Sequence, residues 1–157
     1  MKKYVIGIDF GTLSGRSVLV DLETGAEVAA SVMEYPHGVM DVSLPCGVKL
    51  DSDFALQDPR DYMEVLEHIV RDIMNCSKVA SESVVGIGID FTSSTVLPVY
   101  QDGMPLCCAE KYQSEPHAYV KLWKHHAAQE QTEIIKKCAQ TNGMDLYEIN
   151  VERDSRR

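Results

Sequence analysis

Apolar positions come in short, glycine-punctuated blocks at the start of the chain and shift to a helical period further on. Tyr4 to Asp9 is a β-branched apolar run that meets Gly11-Thr12-Leu13-Ser14-Gly15 and resumes as Ser17 to Val20, ending at Asp21. This pattern predicts strand, tight turn, strand. A further turn at Glu23-Thr24-Gly25 leads into Ala26 to Tyr35, so the opening of the chain predicts a three-stranded antiparallel meander. From Pro36 to Gln57 there are two prolines, two glycines and no sustained period, which predicts a long loop or insertion rather than a domain linker. Asp58 as N-cap and Pro59 at the first helical position then open a helix. Its Tyr62, Val65, Leu66, Ile69 and Ile73 share one face, and it should end near Asn75 to Lys78.

Val84 to Phe91 predicts another glycine-spaced apolar strand, and Thr95 to Tyr100 a further one before a turn at Gln101-Asp102-Gly103. Tyr119 to Trp123 has period two and predicts a strand, followed by a helix with Ala127, Ala128, Ile134, Ile135 and Cys138 on one face. Val151 to Arg157 is charged and aperiodic, which predicts disorder. Strands first, then alternating helices and strands, predict an α/β fold: a mixed sheet with helices packed on it. One internal echo stands out. Gly7-Ile8-Asp9-Phe10-Gly11-Thr12 resembles Gly88-Ile89-Asp90-Phe91-Thr92-Ser93. Two buried strands ending side by side would bring both hydroxyl-rich loops to one edge of the sheet, where ligands of open α/β sheets sit.

Composition narrows the function classes. The 157 residues are 45% hydrophobic and 25% charged, enough for one domain with its own core. Fifteen basic against 24 acidic residues give a net charge of -9, which argues against nucleic acid or anionic lipid as a partner. No apolar stretch reaches membrane-spanning length, and Tyr4 to Ile8 is too short for a signal-peptide core, so a cytoplasmic protein with no membrane association is expected. The five cysteines are odd in number and lack a CxxC, so reduced thiols are expected, with Cys107 and Cys108 as small apolar residues. The adjacent His125 and His126 would diverge on a helix or on a strand and do not form a chelate.

No GxxxxGK[ST] or GxGxxG occurs, which removes two common nucleotide motifs. The informative segment is Asp9-Phe10-Gly11-Thr12-Leu13-Ser14-Gly15-Arg16. Its glycines suit a positive-φ turn and let main-chain amides approach an anion closely, with the hydroxyls of Thr12 and Ser14 beside them, so it can cradle a phosphate. Asp9, at the strand end, is placed to hold a hydrated Mg²⁺ that neutralises that phosphate. The same pattern also suits an ordinary hairpin whose glycines serve only the turn, and the residues alone leave both readings open.

Four segments resemble a known family: the opening loop; Phe54-Ala55-Leu56-Gln57-Asp58-Pro59-Arg60-Asp61-Tyr62; Gly86 to Thr95; and Pro116 to His126. The first looks like the phosphate loop of the actin, hexokinase and sugar-kinase superfamily, whose lobes are ribonuclease-H-like. Together the four resemble the N-terminal part of the ribulokinases, within the FGGY family of carbohydrate kinases, over about the first 148 residues. The resemblance implies an incomplete kinase lobe over residues 1–149 with sheet order 3-2-1-4-5, and a charged tail over 150–157. It implies ATP and Mg²⁺ as cofactors and transfer of the γ-phosphoryl group to the C5 hydroxyl of L-ribulose. By the same resemblance Asp9, Gly11, Thr12, Ser14 and Arg16 match the phosphate loop, and Thr92, Ser93, Ser94 and Thr95 match the loop lining the sugar pocket. Trp123 and Lys124 fall near that pocket. For residues 92–95 a capped turn satisfied by its own backbone is the competing reading.

The family's aspartate general base and its adenine site follow further along than this sequence extends, and from about Ile149 the resemblance stops. No catalytic residue is therefore assigned, and the chain is expected to be inactive alone, with self-association or pairing with a second lobe as its partner chemistry. Two alternatives remain: another sugar or polyol kinase of the family, or a non-catalytic, actin-like interaction module.

Overall fold

The structure, a computed structural model, describes residues 2–143. The strand-turn-strand-turn-strand pattern forms β1 (Tyr4–Phe10), β2 (Ser14–Asp21) and β3 (Glu27–Glu34), an antiparallel meander. Asp21 closes its second turn, accepting from the amides of Glu23 and Thr24, with Gly25 at a φ of 70°. A two-residue strand β4 (Leu56–Gln57) precedes α1 (Pro59–Ser77). The Asp58 carboxylate accepts from the Arg60 amide, as an N-cap should, and the helix stops at Lys78 in the left-handed region. β5 (Val84–Phe91) runs parallel to β1, so the main sheet has the order β3-β2-β1-β5. This follows the expected 3-2-1-4 order; among the described residues no fifth strand joins it.

Two apolar clusters hold this part of the chain. Ile6, Ile8, Leu19 and Tyr35 from the sheet side pack with Val65, Ile69 and Ile73 of α1, the helical face that the period predicted. Sheet and helix approach closely at Gly15: a Cβ added there would lie 2.5 Å from Val65 Cγ1. Beside it the Ser17 hydroxyl donates to the Ile69 carbonyl at 3.0 Å. The second cluster is Met40, Leu44, Leu56, Cys107, Ala118 and Tyr119. It organises the segment expected to be a plain loop, which carries isolated bridges at Met40 with Leu56 and Ser43 with Lys49.

Several expectations are corrected. Thr95 to Tyr100 is not a strand; it makes only single bridges, Val96 with Lys121 and Val99 with Pro105. Pro98 sits in its middle, with no N–H to donate. Tyr119 to Trp123 shrinks to β6 (Val120–Lys121), because its partner β4 is itself cut short by the start of α1. β5 was expected to be buried, yet Ile87, Ile89 and Phe91 are 58%, 57% and 69% exposed. The last helix, α2 (Gln129–Thr141), starts after Ala127 and Ala128, and its Ile134 and Ile135 are exposed.

The chain divides into two compact units, Met1–His125 and His126–Arg157; α2 lies in the second, and everything else described here lies in the first. The expected disordered tail lies outside the described residues. No described helix is long and apolar enough to cross a membrane. The cysteines are all free, and Cys107 is buried, its thiol pushed up to about 12 chiefly by desolvation, as suits an inert core residue.

Candidate functional site

The hairpin between β1 and β2 is fixed by its carbonyls. Gly11 O accepts from the Tyr35 hydroxyl at 3.0 Å, Thr12 O from Gln57 Nε2 at 2.7 Å, and Leu13 O from the Tyr35 amide at 3.0 Å. Gln57 is held in turn by the Tyr62 hydroxyl, which donates to its Oε1 at 2.6 Å. Burial pushes the Tyr35 phenol up to about 12, helped by the charges of Asp9 and Asp61, and raises Tyr62 likewise. Both phenols therefore remain hydrogen-bond donors at any physiological pH. Three successive carbonyls are thus tied to the body of the protein. Nothing in the sequence flagged Tyr35, Gln57 and Tyr62 as the residues that do this; a glutamine just before the N-cap Asp58 was the only trace.

The amides behave differently. Gly11 N–H donates to Ser14 O at 3.0 Å, so this amide is occupied by its own chain, and the expectation that it faces an anion is corrected. The amides of Thr12 and Leu13 make no hydrogen bond among the described residues. The positive-φ role expected of these glycines is also corrected. Neither Gly11 nor Gly15 has a positive φ; Gly15 is required by the approach of Val65, and a Cβ at Gly11 would sit 3.3 Å from Ser14 O. Ser14 is buried at the start of β2, and Thr12 is half-buried at the hairpin tip.

On the sheet face turned away from α1, Asp9 has two cross-strand partners. Arg16 lies opposite it on β2, and Asp90 lies opposite it on β5. Side chains paired in this way share a face. Asp9 is half-buried, Arg16 is exposed, and neither joins an ion pair among the described residues. The two residues line an open groove of about 380 Å³ with Gly7, Val18 and Val32. Asp90, whose carboxylate accepts from the Phe91 amide at 2.9 Å, was missed as a candidate although the internal echo had paired it with Asp9. A hard cation such as Mg²⁺ needs only one or two protein carboxylates, with water and phosphate oxygens completing the shell. The uncommitted Asp9 carboxylate fits that requirement; the described residues contain no group of three or more acidic, His or Cys ligands.

The second loop meets the first at the strand ends. Both the amide and the hydroxyl of Thr92 donate to Phe10 O, each at 3.1 Å, which ties the end of β5 to the end of β1. Thr95 Oγ1 donates to Thr92 O at 3.0 Å. These two hydroxyls are therefore satisfied by backbone, as the competing reading held, whereas Ser93 and Ser94 are exposed and Ser94 has a φ of 58°. A non-glycine residue in that region stores strain, which tends to collect at functional turns. Trp123 Nε1 reaches Thr12 Oγ1 at 3.5 Å, so Trp123 joins the hairpin, while Lys124, next to it in sequence, is half-buried and has no hydrogen bond or ion pair to the other candidates among the described residues.

At the start of α1, Asp58 is fully buried. Burial raises its carboxyl, but hydrogen bonds from the Arg60 side chain and amide outweigh this and hold it below the usual carboxylate range. Asp61, also buried, accepts from both the amide and Nδ1 of His37, at 2.9 and 2.7 Å. These contacts lock the helix entry beneath the hairpin.

No family model matches the chain. Among curated proteins it is 54% identical over 129 residues to a ribulokinase from Bacillus licheniformis, covering 82% of this chain and 23% of that one. It is 50% identical over 142 residues to a ribulokinase from Halalkalibacterium halodurans, covering 90% and 25%. The chain spans about a quarter of the length of these relatives. Among solved structures, a gluconate kinase from Lactobacillus acidophilus superposes with a TM-score of 0.64 at 20% identity, covering 91% of this chain and 23% of that one. A xylulose kinase from the same organism superposes with a TM-score of 0.63 at 20% identity, covering 90% and 23%. The fold is that of the sugar kinases.

Proposed function

We propose that this chain, a ribulokinase homologue over about a quarter of those enzymes' length, is the incomplete nucleotide-binding lobe of an ATP-dependent L-ribulose kinase. The lobe spans residues 1–149. One observation carries the reading: the carbonyls of Gly11, Thr12 and Leu13 are all bonded into the body, while the amides of Thr12 and Leu13 have no partner among the described residues, and Asp9, on the strand that leads into the hairpin, joins no ion pair among them. A turn built only to reverse the chain has no need of three separately clamped carbonyls. Holding them fixes the remaining amides in advance, and such preorganised donors are what a phosphate requires.

In this reading the hairpin binds terminal phosphate oxygens of the nucleotide through the Thr12 and Leu13 amides and the Thr12 hydroxyl, with Ser14 supporting the turn. Arg16 adds positive charge on the same face as Asp9. Mg²⁺, when bound, would supply charge neutralisation at the phosphates, with Asp9 as its protein ligand. Residues 92–95 and Trp123 form the neighbouring end of the sugar site, with Lys124 at its margin, and Ser93 and Ser94 offer the unbonded hydroxyls. Phosphoryl transfer forms a bond from phosphorus to the sugar's C5 oxygen and breaks the bond to the leaving phosphate. The hydroxyl proton must pass to a base, and none of the residues assembled here occupies that role. Since catalysis of this reaction is mainly positioning of two substrates, the isolated chain is inactive.

The test is a chimera in which this sequence replaces the matching stretch of the Bacillus licheniformis relative. The expected result is ATP-dependent phosphorylation of L-ribulose in preference to D-xylulose and glycerol, with no turnover by the chain alone. A folded chimera that ignores L-ribulose, or treats the three acceptors alike, contradicts the reading.

A further inference from the structure

Thr12 is held through each of its polar groups except its amide. Its carbonyl accepts from Gln57 Nε2 at 2.7 Å, and its hydroxyl oxygen accepts from Trp123 Nε1 at 3.5 Å. Both partners come from the β4–β6 pair: Gln57 lies opposite Val120 in its register, and Trp123 follows closely after. The carbonyl contact belongs to the clamp already described. The hydroxyl contact has a different origin, because Trp123 is 57% exposed and its indole is not carried to the hairpin by burial in a core.

The backbone brings it there. Leu122 to His125 is a tight turn, closed by the His125 amide donating to Leu122 O at 3.0 Å, and Trp123 is its first corner. Both ends of the turn are bonded to Ala55: the Leu122 amide donates to Ala55 O at 3.1 Å, and the Ala55 amide donates to His125 Nδ1 at 3.2 Å. Just before the turn, Lys121 exchanges two backbone hydrogen bonds with Val96, at 2.8 and 3.1 Å, next to the loop of residues 92–95. The corner is therefore fixed from two sides, which gives the indole it carries a defined reach, to Thr12.

The direction of that hydrogen bond decides what Thr12 can do. An indole N–H can only donate, whereas a hydroxyl has one proton to give and two lone pairs to fill. With one lone pair taken by Trp123, Thr12 keeps its proton, and among the described residues that proton goes to no acceptor. An acceptor in place of the indole would draw the proton to itself and leave only lone pairs facing an incoming anion. A donor does the reverse, and it also polarises the O–H that it leaves free.

We propose that Trp123 is a positioning residue of the phosphate seat: its indole N–H orients the Thr12 hydroxyl so that the hydroxyl proton, together with the Thr12 and Leu13 amides, is presented to a phosphate oxygen as a third donor. The proposal rests on the phosphate-seat reading and gives a phosphate-side role to a residue that the sequence placed only near the sugar.

The test is binding of Mg²⁺ plus pyrophosphate to the 157-residue chain, followed by NMR, in the parent, Trp123→Phe, Thr12→Val and the double variant. The chain has a single tryptophan, so its one indole N–H resonance reports on this contact. That resonance should shift with the same midpoint as the Thr12 and Leu13 amides. Trp123→Phe, which keeps an aromatic ring but loses the donor, should weaken binding by about 3- to 10-fold. In the Thr12→Val background the same change should weaken it by less than about 2-fold, because the hydroxyl it acts through is gone. Parent-like affinity of Trp123→Phe overturns the proposal, as does an equal loss in both backgrounds, which would mark a general packing role. If the Thr12 and Leu13 amides of the parent respond and the indole does not, the proposal alone fails. If those amides fail to respond, the phosphate seat is wrong and the proposal falls with it.

Discussion

Asp9 and Asp90 are direct partners across the parallel pairing of β1 and β5, and both lie on the sheet face opposite α1. With Arg16 on the other side of Asp9, the row places one positive and two negative side chains at the strand ends beside the hairpin. The Asp9 side chain makes no hydrogen bond or ion pair among the described residues, so its carboxylate is not needed to hold the fold. Asp9→Asn should leave thermal unfolding of the chain within about 0.5 kcal/mol of the parent. In the chimera it should lower turnover by about 10²-fold or more and raise the Mg²⁺ concentration needed for half-maximal rate. Near-normal turnover at ordinary Mg²⁺ would remove Asp9 from the site.

Gly15 is a packing glycine. Its missing Cβ leaves room for Val65 Cγ1, which would otherwise lie at 2.5 Å. Gly15→Ala should cost about 1–3 kcal/mol of stability in urea unfolding. In a Val65→Ala background the same substitution should cost less than about 1 kcal/mol, a coupling expected only for side chains in contact.

The hairpin clamp has an internal order. Gln57→Leu leaves both the Thr12 carbonyl and the Tyr62 hydroxyl without partners, whereas Tyr62→Phe removes a single bond to Gln57 Oε1. The first should cost about 2–4 kcal/mol and the second about 1 kcal/mol. Hydrogen exchange at the Gly11 and Tyr35 amides, which donate to Ser14 O and Leu13 O, should accelerate only in the first.

Asp58 gives the fold a pH signature. Its carboxyl is held below its ordinary range, so its contribution is complete above the unfolded value of about 4 and is lost as pH falls toward the folded value. The difference in urea midpoint between the parent and Asp58→Asn should be constant from neutral pH down to about 5 and shrink below about 4. A difference that grows on acidification would mean that burial, not Arg60, dominates the site.

The parts of this fold legible in the sequence are those whose signals are local. The meander, the Asp58-Pro59 helix start and the strand at Val84 follow from period, caps and turn residues within a few positions. What escaped depends on partners distant in sequence. Period two at Tyr119 to Trp123 was real, but strand length is set by β4, which Asp58 and Pro59 cut short. Pro98 should have demoted the strand at Thr95 to Tyr100. The cluster of Met40, Leu44, Cys107 and Tyr119 joins segments some 60 residues apart and leaves no periodic trace. At the site, the loop's residues were legible but its mechanics were not: Gly15 serves a helix contact, and the clamp comes from Tyr35, Gln57 and Tyr62.

The central claim is that the hairpin is a preorganised phosphate seat, and the most direct measurement is an amide NMR titration of the ¹⁵N-labelled chain with Mg²⁺–ADP and with Mg²⁺ plus pyrophosphate. The account predicts that the Thr12 and Leu13 amides shift first and together under both ligands, that the Gly11 amide, bonded to Ser14, moves least within the hairpin, and that Asp9→Asn weakens the response. Saturating ligand that leaves Thr12 and Leu13 unmoved, or that shifts resonances only elsewhere in the chain, would contradict it.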